Sequence, residues 1–213
     1  TYVGNGVQGR NVTHNLGVAP ELMIVKNRDT TNDDWMVYVS GVTYQSINGN
    51  DPDNYGNNPP TLKLQVTDTA NFSMSGTWDH THPTATVFTV GDTGSTNGNG
   101  EDLIAYLFAS LDGISKVGSY NGSSSSIDVD CGFTNGARFV LIKRIDNAGE
   151  PWTLFDTTRG ISSGNDPYLK VNSTDAQDNS YDAIDPLASG FTVNSGNGNY
   201  NTNGGTYIFF AIA

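Results

Sequence analysis

One cysteine, Cys131, stands in the whole chain. No intrachain disulfide can form, and one molecule cannot build a thiolate metal cluster. A single thiol of this kind is expected as a small buried hydrophobe. Basic residues are also scarce, with 10 Lys plus Arg against 22 Asp plus Glu and a net charge of −12. That field repels phosphate, whereas binders of DNA or RNA carry a basic footprint, so nucleic acid is not an expected partner. No apolar run approaches the roughly 18 residues of a membrane-crossing helix, so membrane insertion is not expected. Nor does any stretch sustain a 3.6-residue apolar period over a normal helix length, and helix should be minor.

What is present is an ordinary apolar share. The hydrophobic fraction is 36%, and the 25 Gly bring the total close to the roughly 45–50% of a globular chain, enough for a core. With 213 residues, the chain suits one large β-sandwich or two small domains.

The chain repeats itself. Residues 22–35 read LMIVKNRDTTNDDW and residues 139–152 read FVLIKRIDNAGEPW. Four apolar residues, then Lys26 or Lys143, Asp29 or Asp146, and Trp35 or Trp152, fall at matching places. TLKLQVTDTA (61–70) answers to YLKVNSTDAQ (168–177), and VFTVG (87–91) to GFTVN (190–194). NGNGEDLIAYLFA (97–109) answers to NTNGGTYIFFAIA (201–213), and TYVGNG (1–6) to SYNGSS (119–124). These correspondences divide the chain into a first copy at 1–109, a strand-like connection at 110–118, and a second copy at 119–213. The first copy carries an insertion loop at 46–60. Because KVG precedes Ser119, and Ser119 aligns with Thr1, the first copy is expected to continue upstream of Thr1 in a longer protein.

The apolar pieces run four to eight residues, rich in Val, Ile, Phe and Tyr, between clusters of Gly, Asn, Asp, Ser and Pro. This pattern predicts an all-β fold: antiparallel β-sandwich, jelly-roll or lectin-like, in two tandem homologous repeats of five to seven strands packed together. One pooled sandwich and two separate ones are both compatible with it. LMIVK, LIAYLFA and YIFFAIA are continuously apolar and should lie centrally in their sheets or against another subunit.

Four segments carry a resemblance: YVGNGVQGRNVTHNLGVAPELMIVKNR, TWDHTHPTATVFTVG, LIAYLFASLDGISKVGSYNG and PWTLFDTTRG. The chain resembles, along its whole length, the tandem module of virion structural and tail-fibre-like proteins of tailed bacteriophages. The resemblance implies a non-enzymatic component of an extracellular particle, the virion, acting as a fibre, tail or capsid-decoration module with other virion proteins as partners. It transfers no catalytic residue. Fibre proteins of this type are often trimeric, so a homo-oligomer, taken as a trimer, is expected. The acidic insertion after residue 46, His80 and His82 depart from the usual pattern.

The residues themselves suggest little catalysis. Glu21, Glu101 and Glu150 sit in polar or turn contexts, and most Asp residues follow small turn-forming residues. No G-x-S-x-G, H-E-x-x-H or phosphate-binding loop is present, and no cofactor is expected. His80 and His82 would share one face if extended, and three copies could offer six imidazoles to a transition metal. Asp51 and Asp53 are oxygen donors of the kind calcium takes. Each group also has the composition of an ordinary polar turn.

Trp35 and Trp152 recur beside apolar strands and are predicted core residues. Trp78, with no counterpart, joins Tyr44, Tyr55 and Tyr200 in polar loops as candidates for stacking on a glycan. A cell-surface glycan is the corresponding further partner, and the second reading is a carbohydrate-binding domain of a secreted or surface protein. Arg159 is predicted to pair with Asp156 and hold the turn after a strand. Light scattering of the native protein, with and without EDTA, is expected to show a trimer. Its loss in EDTA would point to His80 and His82 or to Asp51 and Asp53, and a monomer indifferent to EDTA would remove both the trimer and the metal.

Overall fold

The computed structural model describes residues 1–44, 55–196 and 198–213. It divides into two compact units, Thr1–Gln65 with Ala70–Ala109, and Val66–Thr69 with Ser110–Ala213. The short loop Val66–Thr69 thus belongs to the second unit, although sequence alone places it in the first copy.

The first unit holds β1 (Tyr2–Val3), β2 (Arg10–Thr13), β3 (Leu22–Asn27), β4 (Met36–Val39), β5 (Leu62–Lys63), β6 (Val87–Val90) and β7 (Asp102–Phe108). Among the described residues two single-turn helices, α1 (Ser75–Trp78) and α2 (Gly94–Asn97), interrupt them. The second unit holds β8 (Ser115–Asn121), β9 (Ile127–Asp130), β10 (Phe139–Arg144), β11 (Thr153–Asp156), β12 (Tyr168–Lys170), β13 (Ile184–Leu187), β14 (Gly190–Val193) and β15 (Thr206–Ile212). The protein is all-β, with open antiparallel sheets.

One sheet of the first unit runs β1-β7-β3-β4-β5 and the other pairs β2 with β6. In the second unit the larger sheet runs β12-β11-β10-β15-β8 and the smaller β13-β14-β9. Read from the other edge, the second large sheet repeats the first, strand for strand. Registers match as well: Lys26 lies opposite Ile104, as Lys143 lies opposite Ile208. The additional strand β13 has no counterpart among the described residues of the first unit, where Asp79 and His80 take φ of +48° and +51° shortly before β6.

Alternation in the strands builds the cores. In the second unit Val140, Ile142, Phe155, Phe209 and Ala211 of the large sheet share a buried cluster with Val129, Phe191 and Val193 of the small one. In the first, Met23, Val25, Met36, Tyr38 and Leu103 share one with Val12, Phe88 and Val90. The continuously apolar strands β3, β7, β10 and β15 occupy inner positions of their sheets. β15 is buried on both faces up to its last residue, whereas Tyr106 of β7 is 44% exposed.

Three aromatic expectations are corrected. Trp78 is 1% exposed, set edge-on to Tyr38 within the first core, because α1 turns its ring inward. Tyr200 is buried in the second core beside Phe155 and Tyr168. Neither ring can stack on a glycan. Trp35 is only half-buried, while its counterpart Trp152 is 2% exposed.

Trp152→Ala and Trp78→Ala are each expected to destabilise the protein by about 3–5 kcal/mol, with Trp35→Ala costing clearly less. The buried indole N–H of Trp78 has no hydrogen-bond partner among the described residues, so Trp78→Phe forfeits none. Denaturant melts should place Trp78→Phe well above Trp78→Ala; equal losses would show that the N–H matters.

Candidate functional site

The same polar device closes one end of each unit. Asn97, the last residue of α2, and Asn201, on the turn into β15, are buried shortly before β7 and β15. The Asn97 Oδ1 accepts the Asn5 N–H at 3.0 Å, and its Nδ2 donates to the carbonyls of Gly91 at 2.8 Å and Val7 at 2.9 Å. The Asn201 Oδ1 accepts the Ser123 N–H at 2.7 Å, and its Nδ2 donates to Ser125 at 2.9 Å and Asn194 at 3.2 Å. Beside each, a tyrosine hydroxyl donates to the carbonyl just before the asparagine: Tyr2 to Thr96 at 2.5 Å and Tyr120 to Tyr200 at 2.8 Å. Gly4 and Gly122 complete the fit. A Cβ on Gly4 would stand 1.9 Å from the Gly98 oxygen, and one on Gly122 2.0 Å from the Thr202 oxygen.

The paired lysines of the repeated window hold loops by their main chain. The Lys26 Nζ donates to the Asp33 carbonyl at 2.8 Å, and the Lys143 Nζ to the Glu150 carbonyl at 2.9 Å. Lys143 also donates to the carbonyl of Arg144 at 2.7 Å. The paired aspartates accept from the starts of β7 and β15, Asp29 from the Asp102 N–H at 2.7 Å and Asp146 from Thr206. At the position just after each lysine the units differ. Arg144 reaches Asp146 at 2.8 Å and lies over the Tyr207 ring, whereas Asn27 donates to Glu101 at 2.6 Å and Asp33 at 2.9 Å.

Buried charge in the second unit is likewise committed to the fold. Asp166 accepts the N–H groups of Ser162 at 3.2 Å and of Ala183 and Ile184 at 3.0 Å, and burial raises its pKa. Cys131 is buried, and its thiol is pushed up to about 12 by desolvation, which keeps it protonated.

The second unit carries an open polar cleft of about 420 Å³. Thr67, Glu150, Asn172, Ser173, Asp175 and Asn199 are among its walls, with Lys170 paired to Asp175 at 3.1 Å. Lys143 lies behind this wall, bonded to the Glu150 carbonyl. Amides, hydroxyls and both signs of charge suit the cleft to hydrogen-bonding a small polar ligand. Among the described residues no aromatic side chain lines it.

The proposed contact residues disperse. Tyr44 and Tyr55 are half-buried, 5.6 Å apart between ring centres, and Tyr44 also meets Phe72. His80 and His82 are not on an extended face, because Asp79 and His80 form a left-handed turn. The His82 Nδ1 faces the Tyr38 hydroxyl and its Nε2 the Asn57 carbonyl, each at 3.0 Å, so this ring is employed as a brace. Asp51 and Asp53 lie outside the described residues. Among the described residues no three His, Cys, Asp or Glu gather in a way that would hold a metal. Arg159 pairs with Asp156, whose Oδ1 accepts the Arg159 N–H at 2.9 Å, and so pins the turn after β11.

Sequence reasoning passed over Asn97 and Asn201, reading their stretches as ordinary turns. The signal was there in the repeated Tyr-x-Gly and in the aligned asparagines.

Fold and site together define an all-β protein whose buried polar groups brace its loops. Over residues 1–213 the chain matches the family described as a domain of unknown function, DUF7483, and it belongs to that family. No curated protein and no solved structure matches it.

Burial lowers the Lys143 pKa from 10.5 to about 8, against the opposing pull of Glu150, Asp68 and Asp146. Between those values the unfolded chain keeps a proton that the folded one has lost, so unfolding free energy rises with pH across that window. The stability difference between the native chain and Lys143→Met is therefore expected to grow in favour of the native chain from pH 8 to 10. Denaturant melts at fixed ionic strength measure it, and a flat difference would contradict the assignment.

Proposed function

We propose that the chain is a non-enzymatic structural module of a tailed-bacteriophage virion, a tandem pair of β-sandwich repeats serving in a fibre, tail or capsid decoration. The observation that carries this reading is the doubled framework. The strand order, the lysine and aspartate braces and the Tyr-Gly-Asn closure recur in both units, while the loops differ. Duplication that keeps internal bracing and lets the surface drift suits a spacer or decoration, which must hold shape and present loops. The resemblance to virion modules is the second support. The partners on this reading are other virion proteins and further copies of the chain, a trimer being the working assembly, and the location is the extracellular particle.

Host-surface adhesion fits the same role through the parts that differ between the units: the 46–60 insertion, the exposed His80–His82 end of the TWDHTH segment and the stretch before Tyr200 in the 195–205 loop. With a charge of −12, contact with an acidic envelope needs salt or divalent ions. A carbohydrate-binding domain is the alternative, and the half-buried Tyr44 and Tyr55 pair is what favours it.

Mass spectrometry of gradient-purified particles should find this chain in a fixed ratio to the other virion proteins. Its absence from particles, together with saturable glycan-array binding lost in Tyr55→Ala, would replace the structural reading with the lectin one.

A further inference from the structure

Asparagine followed by glycine is a chemically weak point in a chain, because the unshielded glycine nitrogen can attack the asparagine carboxamide. The sequence has eight such pairs, and six lie among the described residues. In all six the glycine N–H is held by a main-chain carbonyl. Gly6 donates to Asn97 at 2.9 Å, Gly98 to Gly94 at 3.2 Å and Gly100 to Gly4 at 3.0 Å. Gly122 donates to Gly205 at 2.7 Å, Gly136 to Ala188 at 2.8 Å and Gly204 to Gly122 at 3.0 Å. All but Gly136 lie in the segments that the two asparagine closures draw together. A nitrogen held in this way must leave its acceptor before it can react, so the attack waits on local opening.

The closing asparagine is itself one of these residues in the first unit only. Asn97 precedes Gly98, whereas Asn201 precedes Thr202, whose branched side chain crowds the main-chain nitrogen. While the first unit is closed, the Asn97 carboxamide is fully engaged. Its Nδ2 donates to the Asn5 Oδ1 at 3.1 Å and to the Val7 and Gly91 carbonyls, and its Oδ1 accepts from the Asn5 N–H and from Arg10 at 3.2 Å.

We propose that Asn97 is a self-modification site, protected while the first closure holds and converted once it opens. In the opened loop the Gly98 nitrogen gives its proton to solvent and bonds to the Asn97 Cγ. The Cγ–Nδ2 bond breaks, and the side-chain nitrogen takes up a proton and leaves as ammonia. Water then opens the five-membered ring, leaving aspartate or its β-linked isomer at position 97. Nothing is oxidised or reduced, and water is the only co-reactant. The product cannot close again, because a carboxylate has no donor for the Val7 and Gly91 carbonyls and brings negative charge to a buried place. The first closure is a one-way fastening, while the second can open and close repeatedly.

The test holds the full chain at mildly alkaline pH, native and in denaturant, and reads conversion at each asparagine by peptide mapping with mass spectrometry. Asn97 is expected to convert at least about tenfold more slowly in the native chain, and Asn201 to stay unconverted in both. Equal rates at Asn97 in the two conditions would overturn the protection. Asn97→Asp, encoded in the gene, reads the consequence. The Gly6 amide, bonded to the Asn97 carbonyl, should exchange about tenfold or more faster in that variant, and at the native rate in the control Asn135→Asp. Native Gly6 exchange in Asn97→Asp would overturn the one-way closure.

Discussion

Each unit depends on one buried side-chain amide, Asn97 in the first and Asn201 in the second. A loop that turns inward brings peptide groups with no strand to pair them, and each left unpaired costs about 1–3 kcal/mol. An asparagine offers two donors and an acceptor at one point, enough to satisfy three loop segments at once. Here it joins the chain after the first strand of the unit, the chain after the small sheet's strand and the turn into the next long strand. The adjoining tyrosine and glycine are what let the loop come that close.

Other braces match between the two units as well, and some differ. The lysines and aspartates of the paired windows act on main-chain groups, so they constrain the backbone path without specifying the loop side chains. Where a residue acts on other side chains, the units diverge. Arg144, with Asp146 and the Tyr207 ring, gives way to Asn27, with Asp33 and Glu101. The Tyr44–Tyr55 pair of the first unit belongs to the divergent surface.

Much of this was legible in sequence. Short β-branched runs between turn-forming clusters yielded strands, and the burial of Cys131 and the turn-holding pair Asp156–Arg159 followed from composition and spacing. The aromatic assignments failed for a definite reason. Trp78 and Tyr200 sit among Thr, His, Gly and Asn, and local polarity suggested exposed rings. A one-turn helix and a tight loop instead direct them inward. His80 and His82 were misplaced by assuming extended chain where two successive residues take positive φ, a conformation that no local pattern announced.

The sequence by itself determined the strand grammar, the antiparallel all-β class and the two corresponding sets of core positions. These follow from period-2 alternation and turn chemistry, which act over a few residues. Tertiary structure decided which polar residues became internal braces and that Val66–Thr69 belongs with the second unit. Those outcomes depend on pairings between residues up to about a hundred positions apart, and a distant hydrogen-bond partner leaves no mark on the local pattern.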